Sequence, residues 1–300
     1  MKSKPDLHSG RQSKIYKSPE GKNILLQRYE SYLNSLQIPL HREYIQTRYG
    51  LVHMLNTGRH NGKPLFILQG GNCINPMTLS WFAPLLKHYR VYAPDTIGHP
   101  GCSAENRISA NDESFAHWII DLMDHYKIPR SAFIGPSFGG GILLRLAESR
   151  PEKIACAVLV CPAGFGMGPM LSILQQIVLP MIWFKLSASE KSLKKLTDAM
   201  SMQSMKELDR QIIGEIFTHM RLEKGMPRQT ERIRLTGYHA PTLIFAGKKD
   251  VFFPGDQITK RAKELIPQAN TVIYNGGHFP SEKQLQSMNE EIIQFLHTNY

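Results

Sequence analysis

The pentapeptide Gly135-Pro136-Ser137-Phe138-Gly139 sets a serine between two glycines, after an apolar run (Ala132 to Ile134) that predicts a strand and before Ile142 to Glu148, which predicts a helix. A strand-to-helix turn of this kind forces the serine into a strained conformation, and its small neighbours let backbone pass close, so the hydroxyl stands clear above a sheet. A serine hydroxyl is a poor nucleophile at neutral pH unless an adjacent base takes its proton. Of the 12 histidines, only His278 directly follows the last predicted strand, in Asn275-Gly276-Gly277-His278-Phe279-Pro280, where glycines permit a tight loop. His117 and His125 share one amphipathic helical pattern, and His219 lies among other helical segments. His8, His41, His53, His60, His88 and His239 fall in segments that suggest surface or packing roles.

A base of this kind needs a carboxylate on its far nitrogen to fix the tautomer and stabilise the imidazolium. Asp250 closes Leu243-Ile244-Phe245-Ala246-Gly247-Lys248-Lys249-Asp250, 28 residues ahead of His278, which gives the chain order Ser, Asp, His. Asp256 is the nearby competitor. The other place for the acid, after the strand that follows the serine's helix, reads Val160-Cys161-Pro162-Ala163-Gly164 and holds no carboxylate. Attack on a carbonyl would create an oxyanion, which needs prearranged N–H donors. The amide of Phe138 is one candidate, and that of Gly71, in the loop Leu68-Gln69-Gly70-Gly71-Asn72, is the other, with Asn72 as a substitute.

The elements that must position these groups are short. Leu65 to Leu68, Arg90 to Ala93, Ala132 to Ile134, Ala155 to Val160, Leu243 to Ala246 and Thr271 to Tyr274 read as buried strands. Helical patterns lie between them, among them Phe115 to Tyr126 behind an Asn111 or Asp112 cap, so a mostly parallel sheet flanked by helices is expected. Tyr44 to Arg48 and Leu51 to Asn56 read as antiparallel strands, and Gly21 to Leu36 as an amphipathic helix ahead of them. From Gly164 to about Arg234 no strand is predicted. The expected organisation is an N-terminal extension over 1–45, a core over 46–163 and 236–300, and a helical cap inserted at 164–235. Eight of the 13 methionines lie in that insertion, Met167 through Met226, where such flexible side chains suit either core filling or an adaptable substrate-facing surface.

Composition narrows the function classes. With 300 residues at 42% hydrophobic the chain can bury a large core, and with 20% charged residues and no low-complexity run it does not read as disordered. The net charge of +11 is spread along the chain without a basic run or an interleaved aromatic ladder, so specific nucleic-acid binding is not expected. Met1 to Gly21 is polar and lacks the apolar stretch of a secretory signal, while four cysteines without metal-type spacing fit free thiols, so the expected compartment is cytoplasmic. Leu171 to Leu186 is the most apolar stretch but carries Gln175, Gln176, Pro180 and Lys185 and falls short of about 20 residues, so contact with oily substrate is expected in place of a membrane span. Gly164-Phe165-Gly166-Met167-Gly168 lacks dinucleotide-loop spacing, and no zinc or phosphate-loop motif is present. No cofactor and no metal are expected.

On these residues the chain resembles the α/β-hydrolase fold superfamily, in particular its capped bacterial carboxylesterase-like members, from about Ile45 to the C-terminus. The segment Val91 to Ser103, with Asp95 followed by spaced glycines and a serine, looks like the family's turn beside the active site, which implies structural roles for Asp95 and His99. Two residues depart from the family pattern: Gln69 stands where a histidine usually precedes the oxyanion glycine, and Pro136 stands directly before the serine. The resemblance implies hydrolysis of a carboxylic ester through an acyl-enzyme, with a small, apolar acyl substrate. The same three residues also serve carbon–carbon, amide or acyl-transfer chemistry, and a non-enzymatic ligand-binding protein of this fold is the alternative from another class.

Overall fold

A computed structural model describes residues 15–300; the first fourteen residues, His8 and most of the polar N-terminal stretch among them, lie outside the described residues. Helix α1 (Pro19–Ser35) opens behind Ser18, whose hydroxyl accepts from the Gly21 amide, with Pro19 in the first turn where its missing N–H costs nothing. A hairpin follows, β1 (Leu40–Thr47) against β2 (Gly50–Gly58), so β1 begins inside the expected N-terminal extension. After β3 (Pro64–Ile67) come α2 (Asn75–Trp81), β4 (Arg90–Pro94), α3 (Ser114–His125), β5 (Ser131–Pro136), α4 (Phe138–Ser149) and β6 (Ile154–Val160).

Next comes a helical run without a strand. It comprises α5 (Met170–Ile173), a π-helical turn at Leu174–Val178, α6 (Leu179–Ser187), α7 (Glu190–Ser201) and α8 (Glu207–His219). The chain then closes through β7 (Thr242–Gly247), α9 (Gly255–Leu265), β8 (Asn270–Tyr274) and α10 (Glu282–Asn299). Helix α3 starts at Ser114, two residues beyond the expected cap, and the Asp112 carboxylate accepts the Ser114 amide at 2.8 Å.

The eight strands form one sheet in the order β1-β2-β4-β3-β5-β6-β7-β8. Strand β2 is antiparallel to both its neighbours, and every pairing from β4 to β8 is parallel. The expected fold class is therefore observed. Parallel strands are covered on both faces, and the side chains of β5 and β6 alternate accordingly. Ala132, Ile134, Val158 and Val160 join the core that includes Met77 of α2 and Ile292 of α10. Phe133, Ala157 and Leu159 join the core that includes Trp118 of α3, Leu146 of α4 and Ile258 of α9. Because β5 lies in the middle of the sheet, the residue that ends it is held by packing on both sides.

The helical run between β6 and β7 is tied to the core at named points. Helix α8 and α1 share the first of these cores, and the Asn72 carboxamide exchanges two hydrogen bonds with the backbone of Glu223, at 2.8 and 3.1 Å. Its methionines divide by environment: Met200, Met205 and Met220 fill core space, while Met167, Met170 and Met202 are exposed. The helix Met170–Ser187 is, among the described residues, long and apolar enough by length and composition to cross a membrane. It lies on the protein instead, burying Ile173, Ile177, Pro180 and Phe184 at helical spacing and leaving most of its surface outward.

Candidate active site

Ser137 sits at φ 50° and ψ −115°, a left-handed backbone that a non-glycine side chain rarely adopts. Four backbone hydrogen bonds fix it there: its amide donates to the Val160 carbonyl at 2.9 Å, and its carbonyl accepts the amides of Gly140 and Ala163 at 3.0 Å and of Gly141 at 3.2 Å. The flanking glycines are required by close approach. A Cβ at Gly135 would lie 2.6 Å from the Gly139 carbonyl oxygen, and one at Gly139 would lie 2.8 Å from that of Leu68. The strained turn thus sits over the β5 end with its hydroxyl only partly covered.

His278 comes from the loop between β8 and α10. Its Nε2 lies 3.0 Å from the Ser137 Oγ and its Nδ1 lies 2.7 Å from Asp250 Oδ2, so three residues from separate loops form one hydrogen-bonded chain. Asp250 is buried, and its other oxygen accepts the amides of Phe252 and Phe253 at 2.8 and 3.0 Å, which compensates an acceptor-only carboxylate taken out of water. The imidazole is walled by the rings of Phe252, Phe253 and Phe279, with centroids 5.0 to 5.6 Å away. Asp256 is exposed in the first turn of α9 and takes no part in this chain.

The loop after β3 brings Gly71 against the start of α4. A Cβ at Gly71 would fall 2.9 Å from the Phe138 Cβ, so only glycine lets these two backbones stand side by side. The Asn72 side chain is committed to the backbone of Glu223. Gln69 is fully buried beneath the loop. Its amide nitrogen donates to the carbonyls of Cys73 and, at 3.0 Å, Pro100, and its oxygen accepts the Thr96 amide at 2.6 Å. It therefore ties the Gly70–Cys73 loop to the Asp95–Ser103 turn, a role that the sequence left unassigned.

Asp95 is a structural hub, as expected. It accepts the Tyr29 hydroxyl at 2.8 Å and the half-buried Cys102 amide at 2.8 Å and holds His53 Nδ1 at 3.0 Å, with Tyr29, His53 and Asp95 all buried. His99 is buried against the Phe138 ring at 4.6 Å, and burial lowers its imidazole to about 4, so it stays neutral beside the site. Among the described residues two groups of three potential metal ligands occur, His53, Asp95 and Cys102, and Cys161, Asp250 and His278, the ligand atoms within each lying no more than 4.8 Å apart. In each, histidine and aspartate already bond one another. Burial pushes the Cys102 thiol up to about 12 and that of Cys161 well above its ordinary value, which keeps both protonated near neutral pH.

Two features were missed from sequence. Cys161, with its sulfur 3.0 Å from the Tyr274 hydroxyl, occupies the place of the absent alternative acid. Met200, in α7, accepts the Phe279 amide at 3.1 Å and so fastens the His278 loop to the helical insertion. Neither carries a local motif.

The alpha/beta hydrolase fold family matches residues 63–284. Among its relatives, carboxylesterase YbfK of Bacillus subtilis (strain 168) is 25% identical over 286 residues, covering 89% of this chain and 93% of that protein. The uncharacterized carboxylesterase nap of the same organism is 26% identical over 290 residues, covering 93% of this chain and 95% of that one. The crystal structure of naproxen esterase (carboxylesterase NP) from Bacillus subtilis superposes with a TM-score of 0.82 at 22% identity, covering 93% of this chain and 99% of the other. The chain belongs to the α/β-hydrolase fold family and is a carboxylesterase-like hydrolase within it.

Proposed function

We propose that this protein hydrolyses a small carboxylic ester with an apolar acyl group, through an acyl-enzyme on Ser137. The observation that carries the reading is the unbroken hydrogen-bonded chain from the Ser137 hydroxyl through His278 to Asp250. In the first half-reaction the Ser137 Oγ attacks the acyl carbonyl carbon while His278 Nε2 takes the hydroxyl proton, and Asp250 stabilises the imidazolium through Nδ1–H. The carbonyl electrons move to oxygen, and the amides of Gly71 and Phe138 meet that charge. Each preset donor of this kind is worth about 3–4 kcal/mol of barrier.

Collapse expels the alkoxide, which takes the proton from His278 and leaves as alcohol. A water then gives a proton to the same nitrogen and attacks the acyl carbon. Expulsion of Ser137, reprotonated by His278, releases the carboxylic acid. The phenylalanines around His278 restrict water at the base and strengthen the charge interactions there.

The test pairs turnover with labelling. A short-chain aryl ester should be hydrolysed with a burst of one phenol per chain, and a fluorophosphonate probe should label the wild-type protein at Ser137. Ser137→Ala should lose both while keeping its melting temperature. Turnover retained by Ser137→Ala, or wild-type protein that neither turns over ester nor takes the label, sinks the proposal.

A further inference from the structure

Large apolar side chains are concentrated in the open on one element. Met170, Leu171, Leu179, Ile182, Trp183 and Leu186 of the Met170–Ser187 helix are all exposed, Trp183 to 65% and Leu186 to 77%. Exposed Gln175, Gln176 and Lys185 share the helix, yet so many large apolar side chains in water on one element cost free energy and mark a place where something else sits. The helix cannot turn this face inward, because Ile173, Ile177, Pro180 and Phe184 already occupy the buried stripe.

Charge decides among possible occupants. From Gly164 through Ser189 there is no Asp or Glu, Lys185 lies on the helix itself, and α7 opens with one exposed acid, Glu190, against exposed Lys191 and Lys195. Lys17 lies within electrostatic reach of Lys185 and of Arg221, and its Nζ donates to the carbonyls of Phe217 and Thr218. Burial first, and then the charges of Lys185 and Arg221, hold the Lys17 ammonium below its ordinary value. A second copy of the chain would bring another such face, with no carboxylate from its own helix to answer these cations. An apolar helix edged by lysine and carrying tryptophan instead matches an interface of acyl chains below a layer of negative headgroups.

We propose that the outward face of the Met170–Ser187 helix docks this protein onto anionic phospholipid membrane, lying in the plane of the surface. This goes beyond the hydrolytic reading and does not rest on it. The helix is also connected to the site: the Gly168 amide, in the loop leading into it, donates at 2.7 Å to the carbonyl of Phe252, whose ring lies against His278. A docked protein would present that side of the molecule to lipid.

The full chain should sediment with vesicles of equal parts phosphatidylglycerol and phosphatidylcholine, and at least about tenfold less with pure phosphatidylcholine or in about 0.5 M salt. Trp183 emission should shift to the blue with the anionic vesicles, a change absent from Trp183→Phe although Trp81 and Trp118 remain. Leu171→Ser with Leu186→Ser should weaken partitioning by roughly tenfold or more without altering the melting temperature, since both residues are exposed. Lys185→Glu should weaken binding to the anionic vesicles alone. No binding to anionic vesicles, equal binding by the double variant, or a dimer in light scattering that the double variant dissolves would overturn the proposal, the last by showing that a second copy covers the face.

Discussion

The carbonyl oxygen of Met200 lies 2.6 Å from where a Cβ on Gly277 would stand, and the same oxygen accepts the Phe279 amide at 3.1 Å. The residue before the proposed base is thus pressed against helix α7 at a spot that admits only hydrogen. A side chain there must displace either the helix or the His278 loop. Gly277→Ala should lower kcat/KM for a short-chain ester by about ten- to a hundredfold, because a shift on the order of 1 Å at a reacting group costs that much. Gly237→Ala, whose new Cβ would meet nothing closer than 3.6 Å, is the matched control and should stay near wild type. Equal rates for the two variants would show that the loop and α7 are not mechanically joined.

Asp250 and Asp256 both follow β7, and the chain order of the site is compatible with either. Their surroundings differ: Asp250 bonds His278 and two amides, while Asp256 faces solvent. Asp250→Asn keeps the shape and favours the wrong imidazole tautomer, so kcat should fall on the order of a thousand- to ten-thousandfold. Asp256→Asn should leave kcat within about twofold and lower stability by about 0.3–1 kcal/mol through the helix α9 N-terminus. Steady-state kinetics beside urea melts checks both, and a large kcat loss in Asp256→Asn would reverse the assignment.

Gln69 links two loops that share no strand pairing. Gln69→Leu preserves bulk but strands the Thr96 amide and the carbonyls of Cys73 and Pro100 without their partner. Unpaired buried polar groups cost about 1–3 kcal/mol each, and partial relaxation should bring the total to roughly 2–4 kcal/mol in a urea melt. Because Gly71 belongs to the same loop, kcat should fall more than KM rises. A stability loss below about 0.5 kcal/mol would mean that the loops hold their shape without this side chain.

Much of the architecture is visible before any coordinates, for a physical reason. Each central strand is a short apolar run bounded by turn residues, because both faces of a parallel strand are buried, and Ile154–Val160 and Thr242–Gly247 match the expected runs to within a residue. Ser137, Asp250 and His278 are legible because each must follow a strand end and their order is fixed. Gln69 is not, since its partners lie 4, 27 and 31 residues away and nothing in the local sequence names them. The outward face of Met170–Ser187 is hidden for a different reason: a helix apolar nearly all round gives no amphipathic signal to say which side packs.

His99 gives a pH dependence that can be isolated by subtraction. In the folded chain its imidazole titrates near 4 because burial opposes the charged form, whereas in the unfolded chain it returns to about 6.5. Between those values the unfolded state binds the extra proton, so acid draws the equilibrium toward it. The contribution of neutral His99 is fully present above about pH 6.5 and is lost as the pH falls toward 4. At about pH 4.5 this one group should have removed roughly 2–3 kcal/mol. Carboxylates also titrate in that window, but His99→Leu leaves them in place while deleting the imidazole, whose Nε2 has no partner among the described residues. Urea melts of both proteins at about pH 7.5 and 4.5 should therefore show wild type losing more stability than His99→Leu by that amount, and parallel losses would mean that His99 gains a proton in the folded state as readily as in the unfolded one.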